Sequence, residues 1–433
     1  MWTNNRTLVL TLGMVLSLIA PNIKGQSAAQ SSPLQTLTVP RATNTTPSLT
    51  ALGRSVAAAW TATTNGATNV YVAMSSDGGA TFSTPRRVND QDGDAGATNE
   101  QPPRAVITGS AAALSVTVVW SKRDPGPQET RRDVVRIARS TDGGHTFTPA
   151  RFIHDPAFLG ARGWESLASG PDGAVHAVWL DGRDADKKIA ESANRTGSVP
   201  KGQPPQAIYH AILAADGRIV ESLIASDVCF CCKTAVAVDQ RGIVYAAWRH
   251  IFPGSMRDIA FAASTTGDGH FSPLVRVSED KWELNGCPED GPSIAVDQSG
   301  TIHIVWATLV DEGEPRKALF YATSHDGKTF SPRTRVPSAA RSTPGHPQLI
   351  SADGGAVLVW DDVLDGLRRV SMTHVSRTSA FQPTQLLSGA DESASYPMIT
   401  RSGANSLLVA WTSRAPSGES SDLSVIKLKR LAN

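Results

Sequence analysis

An apolar run that ends in tryptophan is written seven times along this chain: Val56 to Trp60, Val116 to Trp120, Val175 to Trp179, Ile243 to Trp248, Ile302 to Trp306, Ala356 to Trp360 and Ser406 to Trp411. The runs recur about every 50 to 70 residues, a period that marks repetition of one supersecondary unit. Each run is too short for a helix and is bounded by Gly, Pro and Asp, which are strand signals. A repeat built only of short strands is radial repetition of one small sheet.

Each unit follows the same grammar. A first strand opens near a proline, as in Pro47-Ser48-Leu49, Pro292-Ser293-Ile294, Pro347-Gln348-Leu349 and Pro397-Met398-Ile399. The tryptophan-ending strand is second. An alternating strand such as Val70-Tyr71-Val72-Ala73 is third, and a short strand such as Arg86-Arg87-Val88 is fourth. No stretch beyond the N-terminal segment shows a sustained helical period. The turn before the fourth strand is itself repeated. Ser75-Ser76-Asp77-Gly78-Gly79-Ala80-Thr81-Phe82 matches Ser140-Thr141-Asp142-Gly143-Gly144-His145-Thr146-Phe147. Ser324-His325-Asp326-Gly327-Lys328-Thr329-Phe330 is one residue shorter, and worn copies end at Phe271 and Phe381. Asp77, Asp142 and Asp326 can accept hydrogen bonds from backbone N–H groups two and three residues on. The glycines supply the positive φ of the reversal, and the Phe anchors the hairpin between sheets.

These turns resemble the Asp-box (BNR) repeats of the sialidase-like β-propellers, and the resemblance covers about residues 35–430. It implies an all-β fold with Asp77, Asp142 and Asp326 as structural staples on the outer rim, away from any active site. Seven pairs of first and second strands give seven blades of four antiparallel strands. Sialidases are usually six-bladed, which is the alternative count. The last unit, Tyr396 to Lys429, lacks a fourth strand, and Gln35 to Val39 reads as the missing one. A ring closed by a strand from each terminus leaves no open sheet edge.

Lys+Arg number 41 against 40 Asp+Glu, so the formal charge of +1 implies no nucleic-acid or membrane-surface field. Arg6 precedes an apolar stretch from Leu8 to Ala20, and Ser27-Ala28-Ala29 offers a small-residue cleavage site. Residues 1–29 therefore read as a signal peptide ahead of one domain over 30–433. The stretch is shorter than a membrane span needs. The expected product is a secreted or periplasmic monomer with no membrane span after cleavage.

Propeller loops alternate between two faces. The Asp boxes lie on one. The segments leading into each blade, and the loops after each tryptophan, lie on the other, around the mouth of the axial channel. The unusual residues gather there. All four cysteines, Cys229, Cys231, Cys232 and Cys287, fall in the lead-ins of two adjacent units. An exported chain with an even cysteine count normally forms disulfides. In an extended segment Cys229 and Cys231 share a face while Cys232 points away, which fits two simple disulfides imperfectly. The alternative is a thiolate site, with His346 nearby, that would hold copper or zinc.

A sialidase needs an arginine cluster for the substrate carboxylate, a Tyr nucleophile with a carboxylate partner, and an acid. By resemblance Tyr396 is the nucleophile, Glu165 or Glu289 its partner and Asp290 the acid, with Arg162, Arg249 and Arg341 as the arginines. The family's early Phe/Tyr-Arg-Ile/Leu-Pro motif is absent. The sequence thus leads to a glycan-binding or glycan-hydrolysing propeller of the exo-sialidase type. Its alternatives are a non-enzymatic metal-binding propeller and a scaffold stapled by two disulfides.

Overall fold

The computed structural model describes residues 1–2, 33–96, 101–123, 133–155, 160–196, 206–214, 216–264, 269–284, 286, 288, 290–311, 313–339, 341–352, 354–364, 366–415 and 423–432. Residues 3–29 of the leader read from the sequence, Cys287 and Glu289 lie outside these residues.

The strands pair into seven four-stranded antiparallel sheets. The first strands of blades 1 to 7 are Thr43–Leu52, Arg104–Ser110, Arg162–Ser169, Ala235–Val238, Ser293–Val296, Thr343–Ala352 and Ser393–Arg401. Each touches the first strand of the next blade, and the seventh touches the first, so they form the inner ring. In blade 7 the strand Gln35–Leu37 pairs with Val425–Ala432, in the register Gln35 with Leu428 and Leu37 with Ile426. The ring is closed by one strand from each terminus, as the sequence grammar expects.

The seven repeated tryptophans sit between adjacent sheets, none more than 1% exposed. Burying an indole that far requires a partner for its N–H. Each blade supplies a different one. Trp60 donates to Asn44 Oδ1 at 2.9 Å, Trp120 to the Asp94 carbonyl at 2.5 Å and Trp179 to Asp181 Oδ2 at 3.0 Å. Trp306 donates to Asp280 Oδ2 at 2.6 Å, while Trp248, Trp360 and Trp411 reach His250, Asp362 and Glu392 at 3.5 Å. Two of the acids that follow the tryptophans, Asp181 and Asp362, are therefore indole acceptors.

The Asp boxes are formed as hairpin staples. Asp142 Oδ1 accepts the backbone N–H of His145 and Thr146 at 3.0 Å, and Thr146 Oγ1 donates to Oδ2 at 2.6 Å. Asp77 does the same three and four residues on, with Ala80 and Thr81. In the shorter copy Asp326 reaches two and three residues on, to Lys328 and Thr329. These bonds, led by Thr81 and Thr146, hold Asp77 and Asp142 far below the usual carboxylate range, and those led by Lys328 hold Asp326 at about 2. The three staples stabilise turns and leave the carboxylates no chemistry.

One element was not expected. Arg183–Thr196 is an α-helix, inserted after the second strand of blade 3. Asp181 Oδ1 accepts the Arg183 N–H at 2.9 Å at its start, and Asp184 and Asp186 lie in its first turn. Ten of its fourteen residues are polar, and its apolar positions are three alanines and Ile189, so the helical period it carries is short and weak. Among the described residues no helix is long and apolar enough to cross a membrane.

Candidate functional site at the channel mouth

The inner strands are not regular. Those of blades 1, 3, 6 and 7 slip register at one corresponding place, between Thr45 and Ser48, Gly163 and Ser166, Gly345 and Gln348, and Ser395 and Met398. The bulged residues Thr46, Trp164, His346 and Tyr396 all have positive φ, between 51° and 61°. A bulge re-aims a side chain, and left-handed backbone at four non-glycine residues is strain of the kind that gathers at functional sites.

Two of these residues meet. The rings of His346 and Tyr396 lie 4.3 Å apart between centroids. Asp361, fully buried, holds both: its Oδ2 accepts His346 Nδ1 at 2.7 Å and the Tyr396 backbone N–H at 2.8 Å. Arg368 donates to the other oxygen at 2.5 Å. With Nδ1 bonded to Asp361, Nε2 is the ring's acid–base position. His346 and Tyr396 line a cavity together with Pro47, Arg104, Lys233 and Met398. Five blades contribute to its wall, so it lies at the centre of the ring. Its volume is about 20 Å3, room for roughly one water. A whole sugar ring must lie above it, with at most one substituent inside.

Asp290 braces this wall. Lys317 Nζ and the His346 backbone N–H reach its two oxygens, each at 2.9 Å. Burial alone would raise its pKa, but the charges of His346, Lys317 and Lys233 outweigh it and hold Asp290 at about 2. It is a fixed anion at neutral pH, which does not suit the proton-donor role read from the sequence. Glu165 is the reverse case. Burial pushes it above the ordinary range despite the hydrogen bond from Ser121 at 2.7 Å, and its Oε1 is buried with no partner. Its environment suits a neutral acid.

The three arginines read from the sequence lie apart. Arg162 is buried against Asp181, at 2.9 Å, and the Gly160 carbonyl. Arg249 is spent on the carbonyls of Asp290, Arg257 and Ala307, stitching blade 4 to blade 5. Arg341 is exposed, beside a different cavity. The arginine that lines the mouth is Arg104, which donates to the Glu165 carbonyl at 3.2 Å and touches Met398 Sδ at 3.7 Å. It holds the inner-strand place that Ser48, Gln348 and Met398 hold in other blades. Aligning the repeats would have singled it out as a charge among neutral residues.

The cysteines pack against Trp164, Phe230 and Ile251. Cys229 and Cys232 are free thiols, and Cys231 is disulfide-bonded. The expectation of two disulfides is corrected, because two of the four cysteines are unpaired. Cys229 Sγ lies 4.0 Å from Cys231 Sγ and 3.9 Å from Cys232 Sγ, contact rather than bonding distances. The Cys232 hydrogen bond, aided by Arg257 and Arg249, draws Cys229 below an ordinary thiol, while burial raises Cys232. The three sulfurs lie within 4.8 Å of one another, and the two free thiols among them, Cys229 and Cys232, could hold a metal ion. His346 is not part of that group; its Nδ1 is committed to Asp361.

No family model matches the chain, and no curated protein matches it in sequence. Solved structures do match in fold. The polysaccharide lyase Uly1 aligns over 90% of this chain and 90% of its own, with TM-score 0.54 and 11% identity. An α-L-arabinanase of Penicillium chrysogenum aligns over 76% and 92%, with TM-score 0.50 and 13% identity. The endosialidase of phage phi92 aligns over 93% of this chain and 69% of its own, with TM-score 0.50 and 11% identity. At these identities the likeness is one of fold. With seven closed four-stranded blades and Asp-box staples, the chain has the fold of the sialidase-like β-propellers.

Proposed function

We propose that this is a glycan-active propeller whose site is the axial mouth. One observation carries the reading. Two inner-strand bulges bring Tyr396 and His346 into ring contact at the central cavity, with Asp361 fixing both. Tyr396 supplies the reacting hydroxyl, and His346, oriented by Asp361, moves its proton. Arg104 and Lys233 receive one anionic substituent of the saccharide, while its ring stays above the cavity. Glu165, whose carboxyl burial raises above the ordinary range, lies on the Arg104 side. Solved propellers of this fold include a polysaccharide lyase, an arabinanase and an endosialidase, which supports a saccharide ligand. Arg162 and Arg249 are engaged elsewhere, which favours a broader anionic glycan over the three-arginine sialoside pattern. The apolar leader and its small-residue cleavage site support export to the periplasm or medium. The test is turnover and calorimetric binding across fluorogenic sialosides, uronides and arabinosides, with wild type and Tyr396→Phe. Turnover lost in the variant is expected. No turnover and no binding across the panel would sink the reading.

A second reading rests on the sulfur cluster. With Cys231 in a disulfide, Cys229 and Cys232 are the two thiolate donors for copper(I) or zinc(II). Elemental analysis of purified protein should then show metal that Cys229→Ser loses. Metal-free protein that binds neither ion on titration excludes it.

A further inference from the structure

The segment leading into blade 4 turns at Phe230 and Cys231 instead of running extended, and the turn brings Cys232 round to the other two sulfurs. Cys229 Sγ lies 4.0 Å from Cys231 Sγ and 3.9 Å from Cys232 Sγ, and all three sulfurs are within 4.8 Å of one another. Metal–sulfur bonds of about 2.3 Å in a trigonal plane set three sulfurs about 4.0 Å apart. The spacing is therefore that of a three-thiolate site, yet only Cys229 and Cys232 are thiols. Cys231 is in a disulfide, and the ligand of a metal is the thiolate, so the third donor is in place but withheld by oxidation.

The surroundings fit a soft ion with few ligands. The sulfurs pack against Trp164, Phe230 and Ile251, and among the described residues no imidazole or carboxylate joins the group. A structural zinc ion takes four ligands, whereas soft copper(I) is selected by thiolates and accepts three. Three thiolates around one copper(I) leave two negative charges in excess. Two buried guanidinium groups, those of Arg249 and Arg257, act on Cys229, and Arg257 Nη1 is buried without a hydrogen-bond partner. Buried cations of this kind offset the charge of a thiolate cluster.

We infer that the Cys231 disulfide is a redox lock on a three-thiolate copper(I) site, opened by an external dithiol. Two electrons and two protons pass from the dithiol to the two disulfide sulfurs. The dithiol closes into its own disulfide, and Cys231 becomes a thiol. Copper(I) then binds Cys229, Cys231 and Cys232 as thiolates, and their protons are released. Cys231 is 6% exposed against 0% for Cys229 and 2% for Cys232, so it is the least covered of the three to an incoming thiol. The inference rests on the reading of Cys229 and Cys232 as metal donors, and adds the third ligand and its control.

The test compares two forms of the full-length protein, one air-oxidised, the other reduced with dithiothreitol and desalted without oxygen. Thiol counts in denaturant define them: two thiols in the oxidised chain and all four in the reduced one. Each form would be titrated against copper(I) bicinchoninate and, separately, against zinc(II) with a chromophoric chelator. The reduced form should bind copper(I) about 100-fold more tightly than the oxidised form, the contribution of one further thiolate. Reduced Cys231→Ser should bind only as tightly as oxidised wild type. The main comparison is between two forms of one chain, so it does not depend on a variant that folds. Equal copper(I) affinity of the two wild-type forms overturns the lock and leaves the two-thiol reading standing. Reduced Cys231→Ser that matches reduced wild type also overturns it. A larger gain for zinc(II) than for copper(I) on reduction overturns the choice of metal. Failure of both forms to bind either ion removes the lock and the two-thiol reading together.

Discussion

Asp361 gathers more of the mouth than any other residue: His346 Nδ1 and the Tyr396 N–H on one oxygen, Arg368 on the other. It is fully buried, so its charge is compensated only by these donors. Asp361→Asn keeps the shape but removes the charge that faces Arg368 and presents an N–H where an acceptor is required. Breaking one partner of a buried pair costs about 3–5 kcal/mol, and the half-exposed Arg368 reduces that to about 2–3 kcal/mol here. Denaturant unfolding should show that loss, together with loss of saccharide binding at the mouth. A variant as stable as wild type would mean that the bonds to Asp361 do not fix the site. At this scale the sequence is informative about which residues are odd and poor about what they touch. Tyr396 and His346 stand out as unusual residues leading into their blades. Arg162 and Arg249 stand out equally, yet a sequence cannot distinguish an arginine spent on carbonyls from one facing solvent. Arg104 looks like an ordinary strand residue until the seven units are aligned.

At the scale of the element, the Asp box does two things, and the sequence reports only the first. Its Asp closes the turn. Its second glycine sits against the preceding blade: a Cβ on Gly79 would lie 2.8 Å from Leu408 Cδ2, and one on Gly144 2.8 Å from Met74 Cγ. Leu408 is fully buried in the core shared by blades 7 and 1, so it cannot swing aside freely. Gly53 is the control, with φ of 60° but nothing within 4 Å of its Cβ position. Gly53→Ala should cost only the left-handed backbone, about 1–2 kcal/mol. Gly79→Ala should cost that plus overpacking of about 1–3 kcal/mol. Equal unfolding midpoints for the two variants would show that the box does not seal the joint. Strands were legible because their faces are buried and their apolar runs end in an indole. The helix Arg183–Thr196 was not, because a polar insertion carries no such run.

For the whole molecule, the ring was legible because one grammar repeats, and the bulges were not, because a register slip leaves the composition unchanged. The closed ring also sets how the protein meets acid. Packing seven sheets against one another buries His154, His176, His210, His250 and His303, and half-buries His374. Burial is the leading cause that lowers all six, with His154 drawn to about 4 and His210 to about 3. In the unfolded chain each titrates near 6.5. Below about pH 6.5 the unfolded state therefore binds more protons than the folded one, and stability falls with pH until the folded values are passed. Asp362, raised by burial to about 6, works the other way between pH 6 and 4, and the buried Glu165 has the same sign. Two carboxyls stand against six histidines, so the net slope is set by the histidines. Asp290 and Asp326, held at about 2, add a loss of their own as pH falls below about 4. The urea midpoint should thus be level from pH 8 to 7 and fall steadily from pH 6.5 to 4. A midpoint flat down to pH 4.5 would mean that the histidines reach solvent in the folded ring. Replacing the His210 of the stacked His176–His210 pair with Phe should flatten part of the slope while leaving the unfolding free energy at pH 8 within about 1.5 kcal/mol of wild type.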